Sequence, residues 1–372
     1  MSDTGLQMSR RIRRTPFTDS VENSGVTGFT VVNHMLLPKS FSYTVEEDYW
    51  HLRENVQIWD VSCQRQVEIY GTDAELLVQK MTPRYIGNLE IGQCLYTPII
   101  DENAGMINDP ILLKLKNNKF WLSIADSDVL LWAKGLAIGF NLDVKITEPE
   151  VYPLAIQGPK SEDVMVKVFG NKIKSIKYFN FEMFEFLGVN QLVARSGYSK
   201  QGGFEIYFRG FEHGCQIWDT LWEAGQEYNI RAGCPNLIER VEAGLLSCGN
   251  EFTQENNPFE CNLDKFFSSE SAHEFIGKSA LSKIKLEGIS QKIRGIVFDG
   301  DPCPPCSKPF PVLSNDKVKI GQITSGIYSP RLKRNVGLSM ILKDYWSIGS
   351  EILVNTNDNI IRKGIITELP IP

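Results

Sequence analysis

The sequence predicts an α+β protein that ends in an all-β barrel. Strand-like apolar runs alternate with amphipathic helices up to about residue 285, which is typical of a sheet covered by helices. Beyond Lys283 the remaining residues form short strand-like runs separated by turns, as in a small separate barrel. Near the middle, Gly202-Gly203 separates two apolar runs and predicts a tight turn between strands.

The elements predicted before residue 140 follow from periodicity and turn residues. Alternation predicts strands, and apolar side chains three and four residues apart predict helices. Asp73 has the side chain and position of a helix N-cap. The predicted elements are helix 45–55, strands 58–62 and 66–70, helix 74–81, strands 95–100, 106–115 and 120–125, and helix 127–138.

The elements after residue 150 are predicted in the same way. Trp218 and Trp222 belong to a helical stripe that indicates core rather than a binding surface. Arg240 lies among apolar residues, where a buried guanidinium needs a carboxylate partner. The predicted elements are strand 151–157, helix 160–169, strands 183–187 and 191–195, and helices 213–224 and 235–246.

Length, composition and charge exclude several classes of protein. A chain of 372 residues, 42% hydrophobic and 23% charged, is ordinary for a globular protein of two or three domains. The formal net charge of −6 argues against nucleic acid as a partner. No apolar run reaches the ~18 residues of a transmembrane helix. The arginine-rich leader at 10–14 lacks the apolar segment of a signal peptide, so we expect a solvated tail that joins the fold near Thr15.

The eight cysteines show no pattern of disulfides or metal ligands. Cys303-Pro-Pro-Cys306 alone has C-x-x-C spacing, and neither a second pair nor a histidine lies near it in the sequence. The four histidines are far apart and form no H-E-x-x-H motif. We therefore expect no metal site and a reducing, cytoplasmic setting.

The stretch Arg195–Phe208 contains the strongest candidate for a binding site. In an extended segment alternate side chains share a face, so Glu205 and Tyr207 project together while their neighbours point into a core. A carboxylate and a phenol beside a glycine turn can hold a flat nitrogen heterocycle through paired N–H bonds. The alternative is an edge hairpin with one exposed acidic residue.

Other candidates are polar residues on predicted strands. No dinucleotide-binding, P-loop or nucleophile-elbow motif is present. Tyr96 and Tyr198 remain as aromatic candidates, and Asp109 precedes Pro110 within an apolar run. Asp109 is therefore either a turn-former at a strand break or a functional acid. Ser123 is the one polar residue of the predicted strand 120–125. It lies either on an exposed face or next to a ligand.

The order of these motifs resembles the folate-binding aminomethyltransferase family, the T-protein of the glycine cleavage system. The resemblance covers nearly the whole chain, beginning at Thr15-Pro16-Phe17. Each motif alone is weak, whereas their shared order is strong. The motifs are W-D-V-S (59–62), G-T-D-A (71–74), Y-T-P-I-I-D-E-N-A-G-M-I-N-D (96–109), Q-G-P (157–159), S-G-Y-S-K-Q-G-G-F-E (196–205), E-R-V-E-A-G-L (239–245), N-P-F-E (257–260), F-I-G-K-S-A-L (275–281) and G-Q-I-T-S-G-I-Y-S-P (321–330).

The resemblance implies a three-domain cloverleaf with tetrahydrofolate in its central opening. It implies two interleaved α+β folate-binding lobes over 1–285 and a C-terminal β-barrel domain over 286–372. Matched position by position, Glu205 is the carboxylate that binds the pterin ring and Tyr198 is its neighbour. Asp109 matches the family's acid near the folate N5 atom and is the candidate catalytic residue.

Further folate contacts follow from the same match. Tyr96 stands at the family tyrosine that begins the hairpin, and Ser123 is a lesser contact. Phe179 replaces a tyrosine that lines the family's folate site. The resemblance thus implies tetrahydrofolate as co-substrate, with no metal.

Departures from the family pattern fall on the side where the one-carbon donor arrives. Asn108-Asp109 stands where the family has two aspartates. Ala125 replaces an asparagine, and Asn236 replaces an arginine. These departures argue against an aminomethyl-lipoyl substrate. The sequence as a whole, including N-H-M-L-L-P (33–38), resembles a branch of the family whose activity, as the resemblance implies, is methyl transfer from dimethylsulfoniopropionate to tetrahydrofolate. Tyr207 is the candidate on the substrate side.

Two other functions stay open. The chain could be an aminomethyltransferase, which needs a lipoyl carrier protein as partner, or a non-catalytic folate-binding protein. In every case we expect a small-molecule ligand, no nucleic acid and no membrane as partner, and homodimerisation is a reasonable expectation.

Overall fold

The computed structural model describes residues 8–268 and 272–372. No helix within these ranges has the length and apolar character needed to cross a bilayer. One helix begins at Val45 because Thr44 and Glu47 form a reciprocal capping box immediately at its start. The α-helices are α1 (Thr18–Asn23), α2 (Val45–Glu54), α3 (Ala74–Met81), α4 (Val129–Gly139), α5 (Ser161–Phe169), α6 (Gly214–Gly225), α7 (Leu237–Ala243) and α8 (Lys278–Glu287).

Strands account for most of the remaining regular structure. Short 3-10 turns lie between several of them. The strands are β1 (Val26–Val32), β2 (Met35–Phe41), β3 (Val56–Asp60), β4 (Gln66–Tyr70), β5 (Cys94–Tyr96), β6 (Ile99–Ile100), β7 (Met106–Asn108), β8 (Ile111–Lys116), β9 (Lys119–Ser123), β10 (Lys145–Thr147), β11 (Tyr152–Gln157), β12 (Phe181–Phe186), β13 (Val189–Ala194), β14 (Gly203–Phe208), β15 (Ile230–Ala232), β16 (Gln291–Phe298), β17 (Phe310–Leu313), β18 (Lys319–Ser329), β19 (Arg334–Leu342), β20 (Glu351–Asn355) and β21 (Ile361–Thr367).

The chain packs as two compact units, each built from separate stretches of sequence. The first unit takes the N-terminal segment up to Leu77, Asn88–Tyr96 and Pro110–Asn236. The second unit takes Val78–Gly87, Thr97–Asp109 and the C-terminal segment from Leu237.

The first unit contains two large sheets and the two-stranded sheet of β1 and β2. One large sheet has the strand order β12-β13-β14-β11-β3-β15, and the other has the order β10-β4-β9-β8-β5. β14 is an interior strand, antiparallel to β11 on one side and to β13 on the other. Phe204, Ile206 and Phe208 enter one apolar core, whereas Tyr207 enters another with Trp121. The predicted alternation is confirmed, and the alternative of an edge hairpin is wrong.

Two predicted strands are each broken in the structure. The runs predicted at 95–100 and 106–115 divide into β5 and β6, and into β7 and β8. The breaks fall at Pro98 and Pro110, because proline has no N–H to donate to a ladder. After each break the strand changes partner: β5 pairs with β8, and β6 pairs with β7. Asp109 therefore lies at a strand break.

The C-terminal barrel is confirmed. Its six strands close in the order β16-β19-β18-β17-β20-β21, and β16 pairs with β21 to complete the ring. Isoleucine, valine and phenylalanine side chains fill its interior. In the same unit Arg240 has the predicted carboxylate partner, since its guanidinium lies 2.7 Å from a carboxylate oxygen of Glu251.

The N-terminal tail joins the fold slightly earlier than predicted. The backbone of Arg13 bridges to Met35, and its N–H donates to the carbonyl of His34 at 2.7 Å. Arg14 forms ion pairs with Asp19 and Glu22. The first seven residues of the predicted tail lie outside the described residues.

Candidate functional site

Glu205 is a buried carboxylate in the middle of a sheet. Its side chain belongs to β14, and the residue is only 5% exposed. The hydroxyl of Ser196 donates to its Oε2 atom at 2.5 Å. Within the described parts of the chain nothing else donates to this carboxylate, so Oε1 is available to a ligand. Burial raises the pKa of Glu205, and the hydrogen bond from Ser196 opposes this shift.

The loop before β14 is built around the side chain of Gln157. Its Nε2 atom donates to the carbonyl of Ser196 at 3.2 Å, and its Oε1 atom accepts from the Ser199 hydroxyl at 2.7 Å. A Cβ atom at Gly197 or at Gly203 would collide with this amide. Both glycines have positive φ angles, +157° and +153°. The loop therefore needs glycine at these two positions for both space and backbone conformation.

Tyr207 and Ser123 form a hydrogen-bonded pair inside the first unit. Tyr207 is 1% exposed, and its hydroxyl is bonded to the Ser123 side chain. Ser123 also accepts from Nε2 of Gln66 at 3.0 Å. Burial, and then the charges of Glu205 and Cys94, raise the pKa of Tyr207 well above its ordinary value. This phenol is therefore neutral at physiological pH and acts as a hydrogen-bonding group.

Phe179 holds an unusual backbone conformation next to these residues. Its φ angle is +58°, which is uncommon for a side chain of this size. Two backbone hydrogen bonds stabilise it: the N–H of Cys94 donates to its carbonyl at 2.8 Å, and its own N–H donates to the carbonyl of Arg195 at 3.0 Å. The adjacent Tyr178 ring lies 4.8 Å from the Phe179 ring. Burial and then the charge of Glu205 raise the pKa of Tyr178, so this ring lies near the carboxylate. Backbone strain of this kind is typical of binding sites.

The two remaining tyrosine candidates are half-buried. Tyr96 ends β5, and Tyr198 lies between Gly197 and Ser199 in the loop that Gln157 supports. Six of the seven predicted site residues thus belong to the first unit.

Asp109, the seventh, belongs to the second unit. It is half-buried and follows Asn108, which is fully buried at the end of β7. Burial, and then the charges of Glu260 and Asp109, raise the pKa of Cys261, which places the Asp109 carboxyl near that thiol. The N-P-F-E segment supports the same hairpin, since the N–H of Met106 donates to the carbonyl of Asn256, the residue before it, at 2.8 Å.

Sequence reasoning missed three residues of this arrangement: Ser196, Gln157 and Cys94. The glycines at 197 and 203 were a usable signal, because paired glycines beside a candidate carboxylate indicate that another group occupies the space of their side chains. Nothing in the sequence pointed to Cys94, whose burial and nearness to Glu205 raise the pKa of its thiol.

The described residues contain no cluster of three or more histidine, cysteine, aspartate or glutamate side chains arranged to hold a metal ion. The eight cysteines are all free thiols. The site is therefore made of a buried carboxylate, phenols, hydroxyls and a glycine-rich loop, which suit a neutral heterocycle with N–H donors.

Two family descriptions match most of the chain. Residues 17–271 match the family described as GCVT N-terminal domain, and residues 291–370 match the glycine cleavage T-protein C-terminal barrel domain. The chain is 47% identical over 350 residues to dimethylsulfoniopropionate demethylase DmdA of Ruegeria pomeroyi, covering 94% of this chain and 95% of the relative. It is 32% identical over 325 residues to an aminomethyltransferase of Caldanaerobacter subterraneus, covering 86% and 85%.

A solved structure has the same fold. The glycine cleavage system aminomethyltransferase T from Bartonella henselae superimposes with a TM-score of 0.87 at 21% identity, covering 97% of this chain and 98% of that chain.

Proposed function

The chain belongs to the glycine cleavage T-protein family, and from this premise we propose that it transfers a methyl group from dimethylsulfoniopropionate to tetrahydrofolate, yielding 3-methylthiopropionate and 5-methyltetrahydrofolate. The choice of donor rests on one observation. The sequence identity to a dimethylsulfoniopropionate demethylase is 47% over 94% of the chain, whereas the identity to an aminomethyltransferase is 32% over 86% of the chain.

The residues of the first unit suit a folate ligand. Glu205 keeps one carboxylate oxygen available, and a buried carboxylate accepts strong hydrogen bonds from the N–H groups of a pterin. Tyr198, Tyr96 and Phe179 supply aromatic surface for the flat ring. Ser123 contributes a further hydroxyl.

The reaction asks little acid–base chemistry of the protein. Tetrahydrofolate supplies a neutral amine, N5, as the methyl acceptor. A sulfonium methyl is already activated because its leaving group is a neutral thioether, so positioning is the main task of the side chains. Tyr207 supports the donor side, and the carboxylate of Asp109 stabilises positive charge or takes up the amine proton after transfer.

The folate-binding lobes occupy 1–285 and the barrel domain 286–372. The enzyme works in the cytoplasm on small molecules as a homodimer, without nucleic acid, membrane or a metal.

Product analysis tests the function. The protein is incubated anaerobically with tetrahydrofolate and dimethylsulfoniopropionate, and both products are quantified by chromatography. We expect equimolar 5-methyltetrahydrofolate and 3-methylthiopropionate, and much less of both with the Glu205→Gln variant at the same tetrahydrofolate concentration. If folate binds but neither product forms, the demethylase assignment is wrong. A lipoyl carrier protein loaded with an aminomethyl group is then the substrate to test, and failure there leaves a binding protein.

A further inference from the structure

Two hydrogen bonds, here called the relay, link three buried residues and end at the candidate carboxylate. Nε2 of Gln157 donates to the backbone carbonyl of Ser196 at 3.2 Å, and the hydroxyl of the same serine donates to Oε2 of Glu205 at 2.5 Å. All three residues are at least nine-tenths buried. The relay therefore joins the end of β11, the glycine loop and β14 without solvent between them.

Gln157 fixes both ends of the loop at once. Besides the Ser196 carbonyl at its start, Nε2 donates to the carbonyl of Phe204 at its end, at 3.4 Å. Its Oε1 atom holds the Ser199 hydroxyl in the middle. Because one amide contacts three points of the loop, Gln157 holds the backbone from which the Ser196 hydroxyl projects.

Because the Ser196 hydroxyl binds only one oxygen of the Glu205 carboxylate, the two oxygens have different roles. Oε2 receives a short bond from the protein, and Oε1 has no donor within the described residues. A buried carboxylate with one oxygen anchored cannot rotate freely, and it presents the second oxygen in a fixed direction. The same bond favours the ionised form, which accepts N–H donors from a ligand.

We propose that Ser196 and Gln157 are positioning residues for folate: Gln157 holds the backbone from which the Ser196 hydroxyl projects, and this hydroxyl anchors one oxygen of Glu205 so that the other receives the pterin. This inference rests on the proposed function, since it takes folate as the ligand of Glu205.

The test compares variants by titration of tetrahydrofolate between pH 5 and 8. Ser196→Ala is expected to weaken binding about tenfold at pH 7, because a hydrogen bond to a charged group is lost. It should also move the acid limb of binding to higher pH, since Glu205 then protonates more readily. Ser196→Thr restores the hydroxyl and should restore both properties. Ser175→Ala is the matched control, because Ser175 also donates to a glutamate, Glu182, on the surface.

A measurement without folate separates orientation from ionisation. Carbon-13 labelling of glutamate carboxyl groups, with Glu205→Gln for assignment, gives the titration of Glu205 in the ligand-free protein. Its midpoint should rise in Ser196→Ala and return in Ser196→Thr. Gln157→Glu, which keeps the shape but loses the donor, should weaken folate binding in the same direction; if it does not fold, the serine variants decide alone.

The outcomes distinguish this inference from the proposed function. Unchanged folate affinity, pH profile and Glu205 titration in Ser196→Ala would overturn the positioning role even if the parent makes both products. A parent that binds folate without transferring a methyl group overturns the demethylase function, and the relay is still tested by binding. A parent that binds no tetrahydrofolate overturns both.

Discussion

A Cβ atom placed on Gly203 would lie 2.7 Å from Cδ of Gln157 and 2.5 Å from the backbone carbonyl of Ile156. The neighbouring Gly202 has a φ angle of +80°, and a Cβ atom placed on it would meet no other atom within 4 Å. Two adjacent glycines are thus required for different reasons. Gly202 serves backbone conformation, whereas Gly203 also leaves room for the amide that supports the loop.

Substitution of these glycines should therefore have unequal effects. Gly203→Ala is expected to cost about 2–4 kcal/mol of stability and to abolish tight folate binding, because the side chain of Gln157 must move. Gly202→Ala should cost only about 1–2 kcal/mol, with folate binding retained. Urea unfolding and folate titration of both variants measure the difference. Equal losses would show that the loop does not depend on Gln157.

Glu205→Gln should separate stability from function. Burial raises the folded-state pKa of Glu205 above its unfolded-state pKa. The unfolded state therefore ionises first, and the protein loses stability as pH rises from the unfolded-state pKa through the folded-state pKa. Gln removes that cost, and the variant should melt at a higher temperature than the parent at pH 7 but not at pH 4. Folate affinity should fall about a hundredfold. Calorimetry at the two pH values is decisive, and a variant less stable at pH 7 would contradict the prediction.

Asp109→Asn should affect turnover more than binding. Because its carboxylate is expected to act during methyl transfer, we predict kcat at least about tenfold lower, with KM for tetrahydrofolate changed by less than about twofold. Glu102→Gln, an exposed change in the same hairpin, is the control. Steady-state kinetics with both substrates give the two constants. An unchanged kcat would make Asp109 a residue of the strand break alone.

His51 should make the protein sensitive to acid. It is buried, its Nε2 atom donates to the carbonyl of Asn229 at 2.7 Å, and burial lowers its pKa to about 4. The unfolded state therefore takes up a proton first, and about 2–3 kcal/mol of stability is lost as pH falls from about 6.5 to 4. Asp48 and Asp60, whose pKa values burial raises to about 6, act in the opposite direction.

Comparison with a His51→Gln variant isolates the histidine from the two aspartates. The difference in unfolding free energy between parent and variant should shrink as pH falls from 7 to 4. A difference independent of pH would mean that His51 does not titrate in this range.

The buried pair Arg240–Glu251 should matter far more than an exposed pair of similar length. The Arg240 and Glu251 side chains are 9% and 0% exposed, and Glu251 also accepts from Ser325. Glu251→Gln leaves a buried guanidinium without its counter-charge and should cost about 3–5 kcal/mol. Asp299→Asn, which breaks an exposed 2.9 Å pair with Arg334, should cost less than about 1 kcal/mol. Urea unfolding of the two variants tests this.

Local patterns predicted much of the fold. The alternation in β14 and the barrel strands depend on side-chain periodicity, which is visible in sequence. The break at Pro110 was one of the two alternatives for Asp109, whereas the break at Pro98 was missed because the apolar run continues across it. The change of pairing partner at both breaks is a long-range property. The left-handed conformation of Phe179 was likewise not predictable, since hydrogen bonds to Cys94 and Arg195 impose it.

The candidate site was predicted as a set of chemical groups rather than as an arrangement. Glu205 and Tyr207 were expected to share a face, and their strand places both away from the core of Phe204. The partners that orient them, Ser123 and Gln157, come from strands far away in sequence. Periodicity within one strand cannot register such partners, so the roles assigned to site residues stay predictions for the experiments above.

The way the chain alternates between its two units constrains how it is synthesised. It crosses from one unit to the other after residues 77, 87, 96, 109 and 236. Val78–Gly87 and Thr97–Asp109 therefore leave the ribosome long before the C-terminal segment that completes their unit. Until the C-terminal segment is made, these two stretches lack the rest of their unit. A gene cut at residue 236 would leave the first unit whole on one fragment but would divide the second unit between the two fragments.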